Sequence, residues 1–375
     1  MILSDRFTGC LLGGAVGDAL GAPIEFLSRV DIIQRFGPDG LADHATAYGG
    51  IGRITDDTQM TLFTAEGLIR AEVRGNHKGI TAPVGVTAHA YLRWLKTQGE
   101  KPKSGVVFGM KEPGWLYRIK ALHACRAPGI TCLDALRTMP TLGATAQNNS
   151  KGCGGIMRVT PVGLWMAGLK SPAADADCFR LASQLAGLTH GHPTGQLPAG
   201  LLAVLVRRLA QGHSLTAALD AARTTLATGA STAEAQETHA AIEQATRLAE
   251  AAQHSGCTSA EHASHIATLG EAWVAEEALS VSLYCALVAR DFEHGIRLAN
   301  NHSGDSDSTG SITGNLLGCW LGVQAIPSRW LEPLELRMEI EAIANDLCHY
   351  GSADWQDPEL PSIDSPETWK RYPGY

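Results

Sequence analysis

Apolar residues recur at helical spacing along most of this sequence, while the alternation that is typical of strands is hard to find. Leu62, Ala65 and Ile69 would share one face of a helix. The segment 197–209 is apolar almost all round, as in a helix enclosed within a bundle. The run 105–108 most resembles a strand, and it stands alone. The pattern therefore predicts an all-α fold.

Four glycines recur every fourth residue near the start of the chain, at Gly9, Gly13, Gly17 and Gly21. On a helix they would form a stripe without side chains. Each glycine costs roughly 1 kcal/mol of helix propensity relative to alanine, so the stripe needs a compensating use. We predict that it allows close packing against another helix.

No repeat of fixed period and no long linker divides the 375 residues. We therefore expect one domain over 1–325 and a C-terminal extension over 326–375 that packs on it. The segment 212–270, rich in Ala, Thr, Gln and His, predicts an exposed helical hairpin. Several prolines after Asp354 predict an irregular tail that lies on the surface.

Charge and cysteine content narrow the functional classes. With 30 Lys and Arg against 38 Asp and Glu, the net charge of -8 disfavours a nucleic-acid partner. Nine cysteines without a C-x-x-C pair indicate reduced thiols and a cytoplasmic protein. The apolar run 11–16 is interrupted by Asp18 long before the span of about 20 residues that a membrane requires. We expect neither an export signal nor a membrane anchor.

Two short acidic segments precede helical patterns. The first holds Thr55, Asp56 and Asp57, and such residues are also ordinary helix N-caps. The second holds Asp305 and Asp307, and its spacing resembles the start of a calcium loop. That interpretation fails because the twelfth position, where an EF-hand needs glutamate, is leucine.

Together the two segments offer four carboxylates and several hydroxyls. Oxygen ligands of this kind suit Mg²⁺, Mn²⁺ or Ca²⁺ better than Zn²⁺. Two divalent cations would bring four positive charges, which the four carboxylates could neutralise. Solvated helix caps remain the alternative interpretation.

A glycine-rich segment, 150–158, could bring backbone N–H groups close to phosphate oxygens. Its spacing fits neither the Walker motif nor the dinucleotide fingerprint. Gly152 follows Lys151 where the Walker motif needs Ser or Thr, and Met157 stands where the fingerprint needs its third glycine. His190 and His192 could form a surface pair or a helix start.

The order of five motifs resembles the ADP-ribosylglycohydrolase family, which includes dinitrogenase reductase activating glycohydrolases and ADP-ribosylarginine hydrolases. The resemblance runs from about Arg6 to about Val323. The motifs are GDALG at 17–21 with Glu25 after it, TDDTQM at 55–60, GGIMRVTPVG at 154–163, LTHGHP at 188–193, and GDSDSTGSITGNLLG at 304–318.

The resemblance implies a single compact bundle of orthogonal helices with a cleft that holds two Mg²⁺ ions, or Mn²⁺. It implies as metal ligands Thr55, Asp56, Asp57, Asp305, Asp307 and Ser308. It implies catalytic roles for Glu25, Asp56 and Asp305, with Glu25 transferring a proton or positioning water. It implies a substrate-binding set of Gly152, Cys153, Gly154, Gly155, Met157 and His190. Many members have threonine at 306 and 308, so serine there would give a looser metal site.

The implied activity is metal-dependent removal of ADP-ribose from modified protein side chains, with arginine favoured by the GDSDS and GGIMRVTP forms. Serine, another acceptor, or a small ADP-ribose ester remains open. A second hypothesis is an immunity protein that binds and neutralises an ADP-ribosyltransferase toxin, with or without hydrolysis. A third is a structural descendant without activity, which would show eroded ligand positions; none of the six is eroded here.

Overall fold

A computed structural model describes residues 3–103, 112–351 and 358–374 of the chain. Across these ranges the secondary structure is helical, with two isolated β-bridges and no β-strand. The helices are α1 (Leu3–Gly21), α2 (Arg29–Phe36), α3 (Asp56–Lys78), α4 (Pro83–Thr97), α5 (Ile130–Thr138), α6 (Thr160–Trp165), α7 (Ala174–Gly187), α8 (Leu197–Ala210), α9 (Leu215–Gly229), α10 (Thr232–Ser255), α11 (Ser259–Leu269), α12 (Ala275–Val288), α13 (Phe292–Asn300), α14 (Ser306–Leu321), α15 (Ser328–Leu331), α16 (Arg337–Gly351) and α17 (Pro366–Arg371). The all-α prediction is confirmed. The strand-like run 105–108 lies outside the described residues.

Helices α1 and α14 pack antiparallel with their backbones in contact. The contacts join glycine to glycine: a Cβ added to Gly9, Gly13 or Gly17 would lie 2.3, 2.3 or 2.0 Å from the carbonyl oxygen of Gly318, Gly314 or Gly310. No real side chain fits at such distances. The prediction that the glycine stripe serves close helix packing is therefore confirmed.

Helix α8 lies inside the bundle, as its apolar sequence predicts. Leu201, Leu202 and Leu205 are fully buried, and α8 packs against α6, α7, α9 and α14. Near the end of α14, the Cys319 thiol donates to the Val206 carbonyl of this enclosed helix.

The segment 212–270 forms three helices, α9 to α11. The predicted hairpin, which has two helices, is therefore wrong in the number of helices. Gly256, in the left-handed conformation at φ 68°, ends α10. Thr258 and Glu261 then form a capping box that begins α11. The tail prediction is wrong in part: residues 366–371 are helical, and Tyr372 is fully buried. Residues 354–357 lie outside the described ranges.

After residue 325, α15 and α16 continue to pack on α1, and α16 also contacts α3 and α6. None of the helices in the described ranges is both long and apolar enough to cross a membrane. What matters for the site is that three helix ends converge: the end of α1 and the starts of α3 and α14.

Candidate metal centre

The two acidic segments begin α3 and α14. Thr55 is the N-cap of α3, and its side chain accepts a hydrogen bond of 3.3 Å from the Asp57 N–H. Asp305 caps α14 in the same way, accepting from the Ser308 N–H at 3.3 Å. The N-cap interpretation is therefore correct for the local structure.

These carboxylates are not solvated caps. Asp56, Asp57, Asp305 and Asp307 are only 4, 2, 3 and 2 % exposed, respectively. Burying a carboxylate is costly unless a hydrogen-bond donor or a positive charge compensates it. The alternative of solvent-exposed helix caps is thus wrong for this protein.

The two segments also meet in space. Glu25, Asp305 and Asp307 place one oxygen each within 4.8 Å of one another. Burial raises the pKa of Asp57 well above its usual range, and the negative charges of Asp56, Asp18 and Asp305 raise that pKa further. Residues about 250 positions apart in sequence therefore share one acidic cluster, which we define as Asp18, Glu25, Asp56, Asp57, Asp305 and Asp307.

Asp18 is the member that the sequence analysis missed as a site residue. It lies on α1, fully buried, and its carboxylate accepts hydrogen bonds from the N–H groups of Thr55 and Thr58 and from the Thr58 hydroxyl. It thereby fixes the first turn of α3. The signal for it was present, because Asp18 is the one polar residue in an otherwise small and apolar stretch at 9–22.

The chemistry of the cluster fits divalent cations. Asp57 Oδ1 and Glu25 Oε2 are buried without a hydrogen-bond partner in the described part of the chain. Carboxylate oxygens are the ligands that Mg²⁺ and Mn²⁺ prefer. Several buried like charges with unused oxygens are stabilised by a cation more readily than by further hydrogen bonds.

Asp18→Asn should weaken divalent-cation binding without unfolding the protein. The amide has one acceptor oxygen where the carboxylate has two, so it cannot hold Thr55 and Thr58 as firmly. Partners that orient metal ligands typically contribute about 10–100-fold to metal affinity, and we expect a loss of that size. Isothermal titration with Mn²⁺ measures it, with circular dichroism as the check on folding. Asp220→Asn, at an exposed site on α9, is the matched control, and equal affinities of the two variants would contradict the role of Asp18.

Glu25 lies in the turn that follows α1, and it is 6 % exposed. Burial is the largest cause that raises its pKa to about 9, followed by the negative charges of Asp305 and Asp56. In the absence of a cation, Glu25 therefore keeps a proton at neutral pH. Beside it, Phe26 is exposed and stacks on Trp273, with ring centroids 6.0 Å apart.

The cluster predicts that cation binding stabilises the protein more at high pH. Burial is the main cause that raises the pKa of Asp18 to about 6, as it is for Glu25. A carboxyl whose folded pKa exceeds its unfolded pKa of about 4 stabilises the fold fully below pH 4. That stabilisation is lost as the pH rises through the folded values. The cation-free protein should therefore lose stability between pH 5 and 9, where a divalent cation would offset the buried charges.

Thermal unfolding at pH 5.5 and pH 8, with Mg²⁺ or with a chelator, measures this effect. We expect the rise in Tm on adding Mg²⁺ to be larger at pH 8. Sodium chloride at matched ionic strength is the control for screening. An equal rise at both pH values would argue against cation binding at these carboxylates.

The glycine-rich loop reaches the acidic cluster through Cys153. The Cys153 thiol donates a hydrogen bond of 2.7 Å to Asp305 Oδ2. The Cys153 backbone N–H donates to the Trp273 carbonyl. The neighbouring residues, Gly152 and Val274, form an isolated antiparallel β-bridge. The structure thus places 152–155 beside the candidate ligands of α14.

The glycines of this loop wrap around His190. A Cβ added to Gly152, Gly154 or Gly155 would lie 3.1, 3.2 or 3.3 Å from the His190 ring. His190 is 1 % exposed, and burial, followed by the charge of Arg158, lowers its pKa to about 3. A neutral, enclosed imidazole therefore shapes the loop, and the surface-pair interpretation is wrong for His190.

His192 and Met157, the two remaining residues of these motifs, make contacts that support the fold. His192 Nδ1 accepts from the Thr194 N–H at 3.0 Å, so the helix-start interpretation holds for His192. Met157 is 3 % exposed, and its carbonyl accepts a hydrogen bond from the Thr61 hydroxyl at 3.3 Å. Its side chain is enclosed in the core behind the loop.

With this geometry established, comparison with known proteins identifies the family. The model of the family described as ADP-ribosylglycohydrolase matches residues 1–357. The chain belongs to the ADP-ribosylglycohydrolase family. Members of this family are enzymes that hydrolyse glycosidic bonds of ADP-ribose, and they depend on a metal. The resemblance drawn from the five motifs is confirmed.

Individual relatives agree with the family assignment. The "ADP-ribosyl-[dinitrogen reductase] glycohydrolase" of Rhodospirillum rubrum is 28% identical and aligns over 90% of this chain and 92% of its own length. The "ADP-ribosylarginine hydrolase Tri1" of Pseudomonas putida is 24% identical, over 92% and 78% respectively. A solved structure titled "ADP-ribosylglycohydrolase-related protein complex" superimposes with a TM-score of 0.63 at 26% identity, covering 93% of this chain and 99% of its own. The predicted fold type is confirmed.

Proposed function

We propose that this ADP-ribosylglycohydrolase removes ADP-ribose from arginine side chains of proteins and uses two Mg²⁺ ions, or Mn²⁺, to do so. The observation that carries the proposal is the buried acidic cluster beside a glycine-rich loop, in which two distant segments meet and Asp57 and Glu25 keep unpaired carboxylate oxygens. Support for arginine as the acceptor comes from the relative named an ADP-ribosylarginine hydrolase.

The residues that would hold the cations are those of the two helix starts. They are Thr55, Asp56, Asp57, Asp305, Asp307 and Ser308. When bound, the cations would supply charge that orients ribose hydroxyls and lowers the pKa of a water molecule. Thr55 and Asp305 are already fixed as N-caps, so these ligand oxygens are pre-oriented by the backbone.

Glu25 is the candidate for proton transfer. Its buried Oε2 has no hydrogen-bond partner among the described residues, so this oxygen is free to hold and transfer a proton. A protonated carboxyl in that position can donate to the leaving group as the glycosidic bond breaks. Asp56 and Asp305 would stabilise the positive charge that develops on the ribose ring carbon.

The glycine-rich loop would hold the other end of the substrate. Backbone N–H groups without side chains in front of them can approach phosphate oxygens closely. The hydrogen bond between Cys153 and Asp305 links this loop to the candidate metal ligands. One substrate could therefore contact both groups of residues.

The proposal predicts selective release of ADP-ribose from arginine. Peptides carrying ADP-ribose on arginine or on serine are incubated with the enzyme, with Mg²⁺ or with a chelator, and free ADP-ribose is quantified by mass spectrometry. We expect at least tenfold faster release from arginine, about 1.4 kcal/mol of discrimination, and no release with chelator. Faster release from serine would overturn the acceptor assignment, and full activity in chelator would overturn the metal dependence.

A further inference from the structure

A cavity lies between α2, α11 and α13, and no residue of the glycine-rich loop lines it. Its volume is about 340 Å³. That volume lies near the lower end of the roughly 300–1,000 Å³ that is typical of small-molecule sites. The acidic cluster does not contribute to its lining.

Three arginines line this cavity, and their guanidinium groups form no ion pair with any carboxylate in the described ranges. They are Arg29 on α2, Arg290 just before α13, and Arg297 on α13. One guanidinium N–H of Arg297 donates a long hydrogen bond, 3.4 Å, to the Asp39 carbonyl.

The cavity also has acidic residues, but two of them are engaged elsewhere. Asp291 accepts a hydrogen bond of 2.7 Å from the His294 N–H and so caps α13. Glu293 forms an ion pair of 2.7 Å with Arg329. Asp39 and Asp291 have no ion-pair partner among the described residues, so three arginines face two uncompensated carboxylates and the wall keeps one net positive charge.

His294 in the cavity wall is held neutral, mainly by burial. Burial is the first cause that lowers the pKa of this histidine to about 4, and the positive charge of Arg290 is the second. The charge of Asp291 opposes these effects without reversing them. His294 is therefore neutral near pH 7; its Nδ1 accepts from the Arg290 N–H at 3.3 Å, so Nε2 carries the proton and can donate a hydrogen bond.

One part of the lining, which we call the floor, is apolar. Ile33 and Leu298 are half-buried there and leave apolar surface accessible, while Ile32 and Ile266 are buried. Arginines without ion-pair partners beside an apolar floor suit a molecule that joins an anionic group to a flat or apolar body. We propose that this cavity binds a small phosphate-bearing molecule of mononucleotide size.

The cavity is connected to the second acidic segment by hydrogen bonds. Asn301, which lines the cavity, accepts from the Leu41 N–H at 2.6 Å. The Arg29 backbone N–H donates to the Ser303 hydroxyl at 2.9 Å. Asn301 and Ser303 lie two to four residues before Asp305, so hydrogen bonds join the wall of the cavity to the segment that begins α14.

Isothermal titration with AMP, inorganic phosphate and adenosine tests the proposal without relying on turnover. AMP should bind, and the double variant Arg290→Gln, Arg297→Gln should weaken its binding at least about tenfold, because two charged hydrogen-bond donors are lost. Arg180→Gln, which removes an exposed arginine on α7, is the matched control. Circular dichroism and melting curves establish that each variant is folded.

A second variant separates this cavity from the proposed catalytic site. Asp305→Asn should leave AMP binding within about twofold of the wild type, even where it removes hydrolysis. Retention of wild-type AMP affinity in the arginine double variant would overturn the proposal, whatever Asp305→Asn does, because AMP would then bind elsewhere, for example at the glycine-rich loop of the proposed substrate site. So would the absence of any AMP binding, or inorganic phosphate binding as tightly as AMP, which would leave the apolar floor without a role.

Discussion

Replacing Asp305 by asparagine should remove divalent-cation binding and hydrolysis together while leaving the fold intact. Asparagine is as good an N-cap as aspartate, so the hydrogen bond from the Ser308 N–H survives and α14 still begins at the same place. What is lost is one negative charge and one ligand oxygen at the point where the two acidic segments meet. We expect at least about a hundredfold loss of Mn²⁺ affinity and of turnover, since even indirect partners of a metal contribute 10–100-fold.

Titration with Mn²⁺ and release of ADP-ribose from a modified peptide measure the two effects on the same preparation. Ser214→Asn, a cap substitution at the start of α9 that keeps the hydrogen-bonding role, is the control. Wild-type cation affinity in Asp305→Asn would contradict the assignment of α14 to the metal centre. Loss of turnover with full cation affinity would show that Asp305 contacts the substrate and does not bind the cation.

Gly314→Ala should cause a large loss of stability, because the contact between α1 and α14 leaves no room for a methyl group at this position. The new Cβ would lie 2.0 Å from the Gly13 carbonyl oxygen, a backbone atom that cannot rotate away. Relief requires α1 and α14 to move apart along their whole contact. Overpacking in a well-packed core costs about 1–3 kcal/mol, occasionally more, and we expect at least 3 kcal/mol here.

Urea denaturation gives the free energy of unfolding for this comparison. Gly75→Ala on α3 is the control, because its added Cβ would have Thr81 Cγ2 at 3.5 Å as its nearest neighbour. That substitution should stabilise the protein by about 0.5–1 kcal/mol through helix propensity alone. A small loss in Gly314→Ala would show that the two helices are free to separate without cost.

The fold class was predictable because helical periodicity is a local signal. The close-packing face of α1 was predictable for the same reason, since its glycines recur at one helical turn. The partner helix was not predicted, although Gly310, Gly314 and Gly318 repeat the same spacing. The spacing of the glycines identifies the packing face of each helix. It does not indicate that two such faces, about 300 residues apart in the chain, pack against each other.

The acidic segments were predicted as a pair because both combine carboxylates with a helix start. Asp18 was missed because it lies within α1, away from any loop, and its role depends on the N–H groups of Thr55 and Thr58. His190 was expected to face bound ADP-ribose, and that role stays a prediction. Its burial beneath three glycines depends on tertiary packing that no local pattern records.

The glycine contact between α1 and α14 also determines when α1 can bury its glycine face during synthesis. One helix emerges from the ribosome first, and its partner is completed some 300 residues later, so the groove along α1 stays open for nearly the whole of translation. Nascent chains that end before Leu321 should expose this small-residue groove and bind no divalent ion. A chaperone that covers apolar helix surfaces would find its target there.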